Sequence, residues 1–336
     1  MSAMEESIDS RGQRMLVIFP GALGDLICLK PALEYLRGRN PNASFELMAR
    51  AELARFAVGR LPIDRGHSID RREVAALFVE DDARTDSDGR SDDTGLAGAA
   101  EFFGQFTRTW SFFAADNRRF RERLIGTAGG AVSFHPFRPE TPGHVASGYA
   151  AAVGADTVSL DARIEALSAD HEAAAAILAR QGMDRERAIL IFPGSGSHSK
   201  NWPVAGFIAL AHELANEGRA PLFVLGPAEA ELAVSIRDQG IVVEDSLGLG
   251  EVTGLARRCG LFIGNDSGVS HLAAAAGARG VVLFGPTDPA RWRPLGDIAV
   301  VRKEPLATLP AATVMAALRT IRKRPGTFQQ HDERYS

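Results

Sequence analysis

The side chains best suited to chemistry lie in glycine-rich loops that directly follow predicted strands. In the first loop, residues 20–25, Gly24 precedes Asp25 at the point where a helix is expected to begin. A carboxylate at that position could accept a proton from a substrate hydroxyl and so act as a general base. Asp is also a favoured N-cap residue, and helix capping is therefore an alternative explanation of Asp25.

The second loop, residues 193–203, is small and polar and contains Lys200, one of only four lysines in the chain. Its small residues would let the backbone approach phosphate groups closely, and Lys200 could neutralise a diphosphate as a point charge. The loop is not a Walker A motif, because the Gly-Lys-Ser/Thr junction is missing. A solvated loop lysine is the alternative.

A third loop leads from a strand into a helix. It reads Asn265-Asp266-Ser267-Gly268, and His271 follows within the next turn. Small residues at a helix N-terminus leave backbone N–H groups available to an anion, so this loop predicts a phosphate site. In the alternative, Asp266 and Ser267 only cap the helix and His271 packs beneath it.

Two further features complete the set of candidate residues. A fourth loop, residues 284–289, contains Thr287 and is followed by two arginines. Glu229 lies just past a strand predicted to end at Gly226 and could accept hydrogen bonds from ribose hydroxyls.

These loops must be positioned by two similar halves, because residues 17–21 (VIFPG) and 190–194 (LIFPG) repeat the same strand and glycine turn. Apolar runs and helical spacing predict strands over 15–19, 45–49, 188–192, 221–226, 241–245, 261–265 and 280–285, and helices over 26–37, 170–181 and 311–322. Strands that alternate with helices predict doubly wound parallel sheets, with ligand sites outside the carboxyl ends of the strands.

The length of 336 residues predicts two domains. We place an N-terminal Rossmann-like domain at 13–158 and a C-terminal one at 159–325, joined near 156–161, with disordered tails at 1–12 and 326–336. Residues 80–98 are acidic and rich in turn formers, so a mobile surface insertion is expected there.

Composition excludes several classes of protein. The 38 Lys and Arg residues face 42 Asp and Glu residues, and a net charge of −4 disfavours binding to nucleic acid. Cys28 and Cys259 show no metal-ligand spacing, so they are predicted to be buried, reduced core residues without a disulfide or structural zinc site. The N-terminus lacks the apolar stretch of a signal peptide, and a cytoplasmic protein is expected.

One charged segment stands out in this acidic chain. Residues 117–123 are predicted to be helical and carry Arg118, Arg119, Arg121 and Arg123. Arginine forks suit phosphates and carboxylates, so the segment could dock an anionic substrate. A solvated helix face is the alternative.

Taken together, the loops resemble those of the bacterial heptosyltransferase family, glycosyltransferase family 9. The family's Gly-Asp followed by an apolar helix with a proline stands here as Gly24-Asp25 with Pro31, and its Lys-x-Trp-Pro stands as residues 200–203. Its Asn-Asp-Ser-Gly with a following His stands as residues 265–271, and its Phe-Gly-Pro-Thr as 284–287. Four motifs in the same order make the resemblance specific.

The resemblance implies a GT-B architecture, with an acceptor domain and a nucleotide-sugar domain on either side of a cleft. It further implies inverting transfer of heptose from ADP-heptose to a lipopolysaccharide-core or related glycan, with no bound metal and no cofactor. Asp25 would be the catalytic base. The candidate donor-binding residues are Lys200, Ser195, Glu229, Asn265, Asp266, Ser267, Gly268, His271 and Thr287. The candidate acceptor-binding residues are Gly24, Arg118, Arg119 and Arg121. We expect a monomer that touches the inner-membrane surface transiently when its acceptor is a glycolipid.

Other functions stay open at this point. A nucleotide-sugar epimerase shares the architecture, and a non-catalytic sugar-nucleotide-binding protein would keep Lys200 without needing a base at position 25. A dinucleotide-dependent oxidoreductase is disfavoured, because the first turn reads Gly-Ala-Leu-Gly rather than GxGxxG. Its second strand also ends in Ala49-Arg50, without an acidic residue for the ribose.

Overall fold

The computed structural model describes residues 12–79, 94–155 and 159–323. The chain divides into two compact units. The first contains the chain up to Ala22 together with Leu29–Ser159, and the second contains Leu23–Cys28 and the chain from Leu160 onward. The second unit therefore includes the short segment that carries Gly24 and Asp25.

The first unit is a parallel sheet of five strands with helices between them. The strands are β1 (Arg14–Ile18), β2 (Ser44–Ala49), β3 (Arg65–Ser68), β4 (Arg108–Ser111) and β5 (Ala131–Phe134). The helices are α1 (Leu23–Arg39), whose segment Leu23–Cys28 belongs to the second unit, α2 (Ala51–Ala57), α3 (Arg72–Ala76), α4 (Thr94–Phe103), α5 (Arg118–Thr127) and α6 (Val145–Ala152). The strand order is β3-β2-β1-β4-β5, so the winding direction changes between β1 and β4.

The second unit contains a six-stranded parallel sheet. Its strands are β6 (Ala188–Phe192), β7 (Ala220–Val224), β8 (Val242–Glu244), β9 (Leu261–Asn265), β10 (Arg279–Phe284) and β11 (Ile298–Arg302). Its helices are α7 (Ser168–Arg180), α8 (Val204–Asn216), α9 (Leu232–Arg237), α10 (Leu249–Cys259), α11 (Gly268–Ala275), α12 (Pro289–Trp292) and α13 (Ala311–Arg322). The order β11-β10-β9-β6-β7-β8 places the change of winding between β6 and β9.

Burial explains why the central strands form where they do. Every residue of β6 and of β9 is buried, as expected for strands of a parallel sheet that is covered on both faces. Side chains from β6, β9 and β10 pack with α8 and α13 in one apolar core that includes Trp202 and Phe207. The loops that follow β6 and β9 thus start from a rigid base.

The structure corrects two predicted boundaries. The first helix begins at Leu23, three residues earlier than predicted, so Asp25 lies within its first turn and not at the N-cap. Residues 94–98, predicted as part of a mobile insertion, begin helix α4. The remainder of that insertion, both predicted tails apart from Gly12, and residues 156–158 of the predicted linker lie outside the described residues.

Candidate functional site

The loops after β6, β9 and β10 meet at one carboxylate in the second unit. Lys200 ends a short 3-10 turn, and its Nζ donates to Oδ2 of Asp266 at 2.8 Å. The hydroxyl of Thr287 donates to the same oxygen at 2.6 Å. Asp266 is buried, whereas the Lys200 side chain remains 31% exposed. An ammonium has three N–H groups, so Lys200 can hold Asp266 and still reach a ligand.

Helix α11 begins beside this carboxylate. Ser267 is its N-cap, and the Ser267 hydroxyl accepts a hydrogen bond from the backbone N–H of Ser270. Ser267 thus caps α11, and its predicted donor contact stays a prediction. The earlier N–H groups, at Gly268 and Val269, have no partner within a helix by its geometry, and they form the positive end of its dipole.

The first turn of α1 packs directly on the first turn of α11 within the second unit. An ideal Cβ on Gly24 would lie 3.2 Å from Cδ2 of His271, and one on Gly268 would lie 3.0 Å from Cβ of Leu23. The two glycines thus permit a close approach that larger residues would disturb. Asp25, in this turn of α1, is 6% exposed.

His271 lies under both turns and is 5% exposed. Its Nδ1 lies 3.6 Å from Sγ of Cys28, which is also buried. Burial raises the pKa of the Cys28 thiol, and the nearby carboxylates of Asp25 and Asp266 raise it further. Cys28 is a free, buried thiol, as predicted.

Glu229 connects two loops of the second unit. Its carboxylate accepts a hydrogen bond from the N–H of Gly226 at 3.2 Å. It also fills the space next to Gly194, where an ideal Cβ would lie only 2.2 Å from Cδ of Glu229. The glycine in the repeated strand-and-turn sequence is thus required for room beside Glu229, a role that its local sequence does not reveal.

Two predicted donor contacts face partners inside the protein. The hydroxyl of Ser195 donates to the carbonyl of Ser197, within the same loop. Asn265 is fully buried, and its amide donates to the carbonyl of Pro193 and accepts from the N–H of Trp202. Both the N–H and the oxygen of the Asn265 side-chain amide thus contact backbone groups of the Lys200 loop.

The predicted arginine segment forms helix α5 in the first unit, capped by Asn117. Arg118 and Arg119 line a groove of about 990 Å³ between α4 and α5, together with Arg123, which belongs to the predicted arginine segment but not to the candidate acceptor-binding residues. Arg118 also pairs with Glu122 at 2.7 Å. Arg121 is separate from the groove lining, and its guanidinium lies 4.9 Å from the centre of the Phe134 ring.

Within residues 12–79, 94–155 and 159–323, no group of three or more His, Cys, Asp or Glu side chains is arranged to hold a metal ion. In the same ranges, no helix has the length and apolar character needed to cross a membrane.

Known proteins resemble this chain in sequence and in fold. The model of a family described as glycosyltransferase family 9 (heptosyltransferase) matches residues 139–313, just over half of the chain. That range contains Lys200, Glu229, Thr287 and the loop at 265–268. Lipooligosaccharide heptosyltransferase 2 of Haemophilus influenzae is 32% identical over 127 residues, which are 34% of this chain and 36% of that protein. The chain thus spans less than half the length of the curated relatives that it matches.

Solved structures show the same fold over nearly the whole chain. A glycosyltransferase family 9 structure from Veillonella parvula has a TM-score of 0.77 at 20% identity, covering 92% of this chain and 97% of that one. ADP-heptose lipopolysaccharide heptosyltransferase II of Escherichia coli has a TM-score of 0.69 at 19% identity, with 92% and 98% covered. The predicted fold class, α/β of the GT-B type with two Rossmann-like domains, is confirmed. The family match also favours a glycosyltransferase over an epimerase.

Proposed function

Since the chain belongs to glycosyltransferase family 9, we propose that it transfers a heptose from ADP-heptose to a lipopolysaccharide-core glycan or a related acceptor. The name of the Haemophilus relative supports heptose and a lipooligosaccharide acceptor, and the name of the Escherichia coli structure supports ADP-heptose as donor. We further propose that the reaction inverts the anomeric centre and needs no metal ion.

The ion pair between Lys200 and Asp266, the residue before the N-cap of α11, is the observation that carries this proposal. A nucleoside diphosphate leaving group gains negative charge as its bond to the sugar breaks. Lys200, held at 2.8 Å from Asp266, and the N–H groups at Gly268 and Val269 offer positive charge to the same place. Charge stabilisation of this kind accelerates transfer because it strengthens in the transition state.

Asp25 supplies the second chemical function in this proposal. The hydroxyl oxygen of the acceptor forms the new bond to the anomeric carbon, while the bond from that carbon to the diphosphate oxygen breaks. The hydroxyl proton passes to the Asp25 carboxylate. The packing of Gly24 against His271 fixes the turn that carries Asp25, so the base is held by two helix ends rather than by a flexible loop.

For the acceptor, we propose the groove between α4 and α5 in the first unit. Arg118 and Arg119 line it, and guanidinium groups bind the phosphates and carboxylates of anionic glycans in a bidentate manner. Transient contact with the membrane surface, a monomeric state and a cytoplasmic location remain predictions from the sequence.

Calorimetric titration with ADP, UDP and GDP tests the donor site first. We expect ADP to bind, and Lys200→Ala to weaken ADP binding by about tenfold or more, because a charge-assisted contact contributes roughly 1.5–3 kcal/mol. Lys323→Ala is the matched control, since Lys323 is exposed at the end of α13 and should leave ADP affinity unchanged. A preference for UDP or GDP would reject ADP-heptose as donor.

Transfer itself is measured with ADP-heptose and truncated lipopolysaccharide acceptors, with release of ADP as the readout. Stereochemistry of the product by NMR reports inversion or retention, and addition of EDTA tests the metal independence. ADP binding without transfer to any acceptor would favour a non-catalytic sugar-nucleotide-binding protein.

A further inference from the structure

The side chain of Asn265 joins the two ends of the loop that carries Lys200. Its Nδ2 donates to the carbonyl of Pro193 at 2.7 Å, and its Oδ1 accepts from the N–H of Trp202 at 3.0 Å. A carbonyl can only accept and a backbone N–H can only donate, so these two partners fix the orientation of the amide. Pro193 directly follows β6 and Trp202 precedes α8 by two residues. One buried amide thus links the two ends of the loop, at Pro193 and Trp202.

Asn265 is itself held firmly. It is the last residue of β9 and is fully buried. Its carbonyl accepts a hydrogen bond from the hydroxyl of Ser270 at 2.7 Å, on the first turn of α11. Because the Asn265 side chain is fixed on the sheet, it holds the loop in a defined position relative to the sheet.

Apart from the ion pair of Lys200 with Asp266, the middle of the loop makes its side-chain contacts mainly within itself. The hydroxyl of Ser195 donates to the carbonyl of Ser197, and the hydroxyls of Ser197 and Ser199 lie 3.0 Å apart. These contacts stay within the loop and involve exposed residues. The Trp202 end, in contrast, is fixed again by its indole N–H, which donates to the carbonyl of Leu309 at 3.0 Å.

We infer that Asn265 is a positioning residue that acts on the donor through Lys200, and not a donor ligand. The inference rests on the proposed function, because it assigns Lys200 to the diphosphate. By fixing both loop ends, Asn265 places Nζ of Lys200 against Asp266 before the donor arrives. The loop then loses less conformational freedom on binding, which favours affinity without any contact between Asn265 and the donor.

A double-mutant cycle on ADP affinity tests this. Asn265→Ala should weaken ADP binding on the order of tenfold, because the loop must then be ordered at the cost of binding energy. In a Lys200→Ala background, the same substitution should change affinity by less than about twofold, since the group it positions is gone. Equal effects in both backgrounds would show that Asn265 acts on the donor independently of Lys200 and would overturn the inference.

Hydrogen exchange supplies a readout that does not depend on the proposed function. In Asn265→Ala, the Trp202 amide should exchange faster than in the wild type, and so should the amides of residues 194–201. Unchanged exchange rates of these amides would refute the claim that Asn265 holds the two ends of the loop. Wild-type protein that binds no ADP would instead refute the proposed function, while the exchange result still decides the role of Asn265.

Two further variants keep the test decisive. Asn265→Asp keeps an acceptor for Trp202 but places a second acceptor against the carbonyl of Pro193, so it should show the same faster exchange if Asn265→Ala fails to fold. Asn201→Ala is the matched control. It removes only the long 3.5 Å contact to Nδ2 of Asn265 and leaves the bridge intact, so its ADP affinity and loop exchange should match the wild type.

Discussion

Replacing Gly194 by alanine should displace Glu229 without unfolding the protein. The new Cβ would lie 2.2 Å from Cδ of Glu229 and 2.3 and 2.6 Å from its two carboxylate oxygens, far inside van der Waals contact. The glycines with positive φ do not include Gly194, so alanine can adopt the backbone there. Because the clashing atoms are the end of a flexible side chain, we expect the carboxylate to swing away and lose its hydrogen bond to Gly226.

Two opposing terms set the effect on stability. Loss of the 3.2 Å hydrogen bond costs about 0.5–1.5 kcal/mol. Alanine lowers the conformational entropy of the unfolded chain, which stabilises the folded state by about 0.4–1 kcal/mol. The net change is therefore within about 1 kcal/mol of zero, a Tm shift of no more than about 4 °C. ADP affinity, in contrast, should fall by about tenfold, because Glu229 leaves its proposed place at the ribose.

The Glu229→Ala background separates the clash from any other effect of the substitution. In this background the new Cβ has no carboxylate to clash with. Gly194→Ala should therefore raise the Tm of the Glu229→Ala protein and leave its already weakened ADP affinity unchanged. Differential scanning fluorimetry and calorimetry give both quantities for the four proteins. The same change in Tm and affinity in both backgrounds would refute the reasoning.

Two further predictions concern carboxylates with different tasks. Asp25→Asn should lower kcat by about 10²–10⁴-fold while ADP affinity stays within about twofold, because the amide cannot accept the proton; a large drop in Tm would indicate a structural role instead. Burial alone would raise the pKa of Glu46, but hydrogen bonds from His67 and Arg14 and their charges lower it from 4.5 to about 2. The folded pKa lies below the unfolded one, so this stability is present above pH 4.5 and is lost as pH falls toward 2. Glu46→Gln should remove that part of the acid sensitivity, which amounts to about 2 kcal/mol between pH 6 and pH 3 in denaturant titrations, because the rest is lost only below pH 3.

The sequence predicted the second unit better than the first, for physical reasons. The strands β6 and β9 are buried apolar runs and match the predicted 188–192 and 261–265. Strands β3 and β4, with the sequences RGHS and RTWS, have only four residues each and mix charged, aromatic and small side chains, so their sequences show no alternation of apolar and polar residues. Strand β11 was also missed, since it is only half-buried at the sheet edge.

For the candidate site, the sequence predicted which residues are candidates but not which residues they contact. Sequence spacing alone indicated that Lys200 and Asp266 lie on loops at strand ends. It could not show that Asp266 binds Lys200, that Glu229 fills the space at Gly194, or that His271 reaches Cys28, 243 residues away. Each of these contacts depends on the order of strands in the sheet and on packing between distant segments, and neither leaves a local pattern.

The strand order also explains why adjacent residues at the end of β9 have different tasks. Because β9 lies between β6 and β10, the turn after it is flanked by the loops that follow both neighbours. Asn265 is the last residue of the strand and fixes the β6 loop through Pro193 and Trp202. Asp266, one residue later, receives Lys200 from the β6 loop and Thr287 from the β10 loop. One carboxylate thus holds two loops together, and Lys200, with three N–H donors and a partly exposed side chain, can bind a diphosphate while it stays paired with Asp266. The N–H groups at the start of α11 add to the positive charge of Lys200, and both favour binding of the diphosphate despite the negative charge of Asp266.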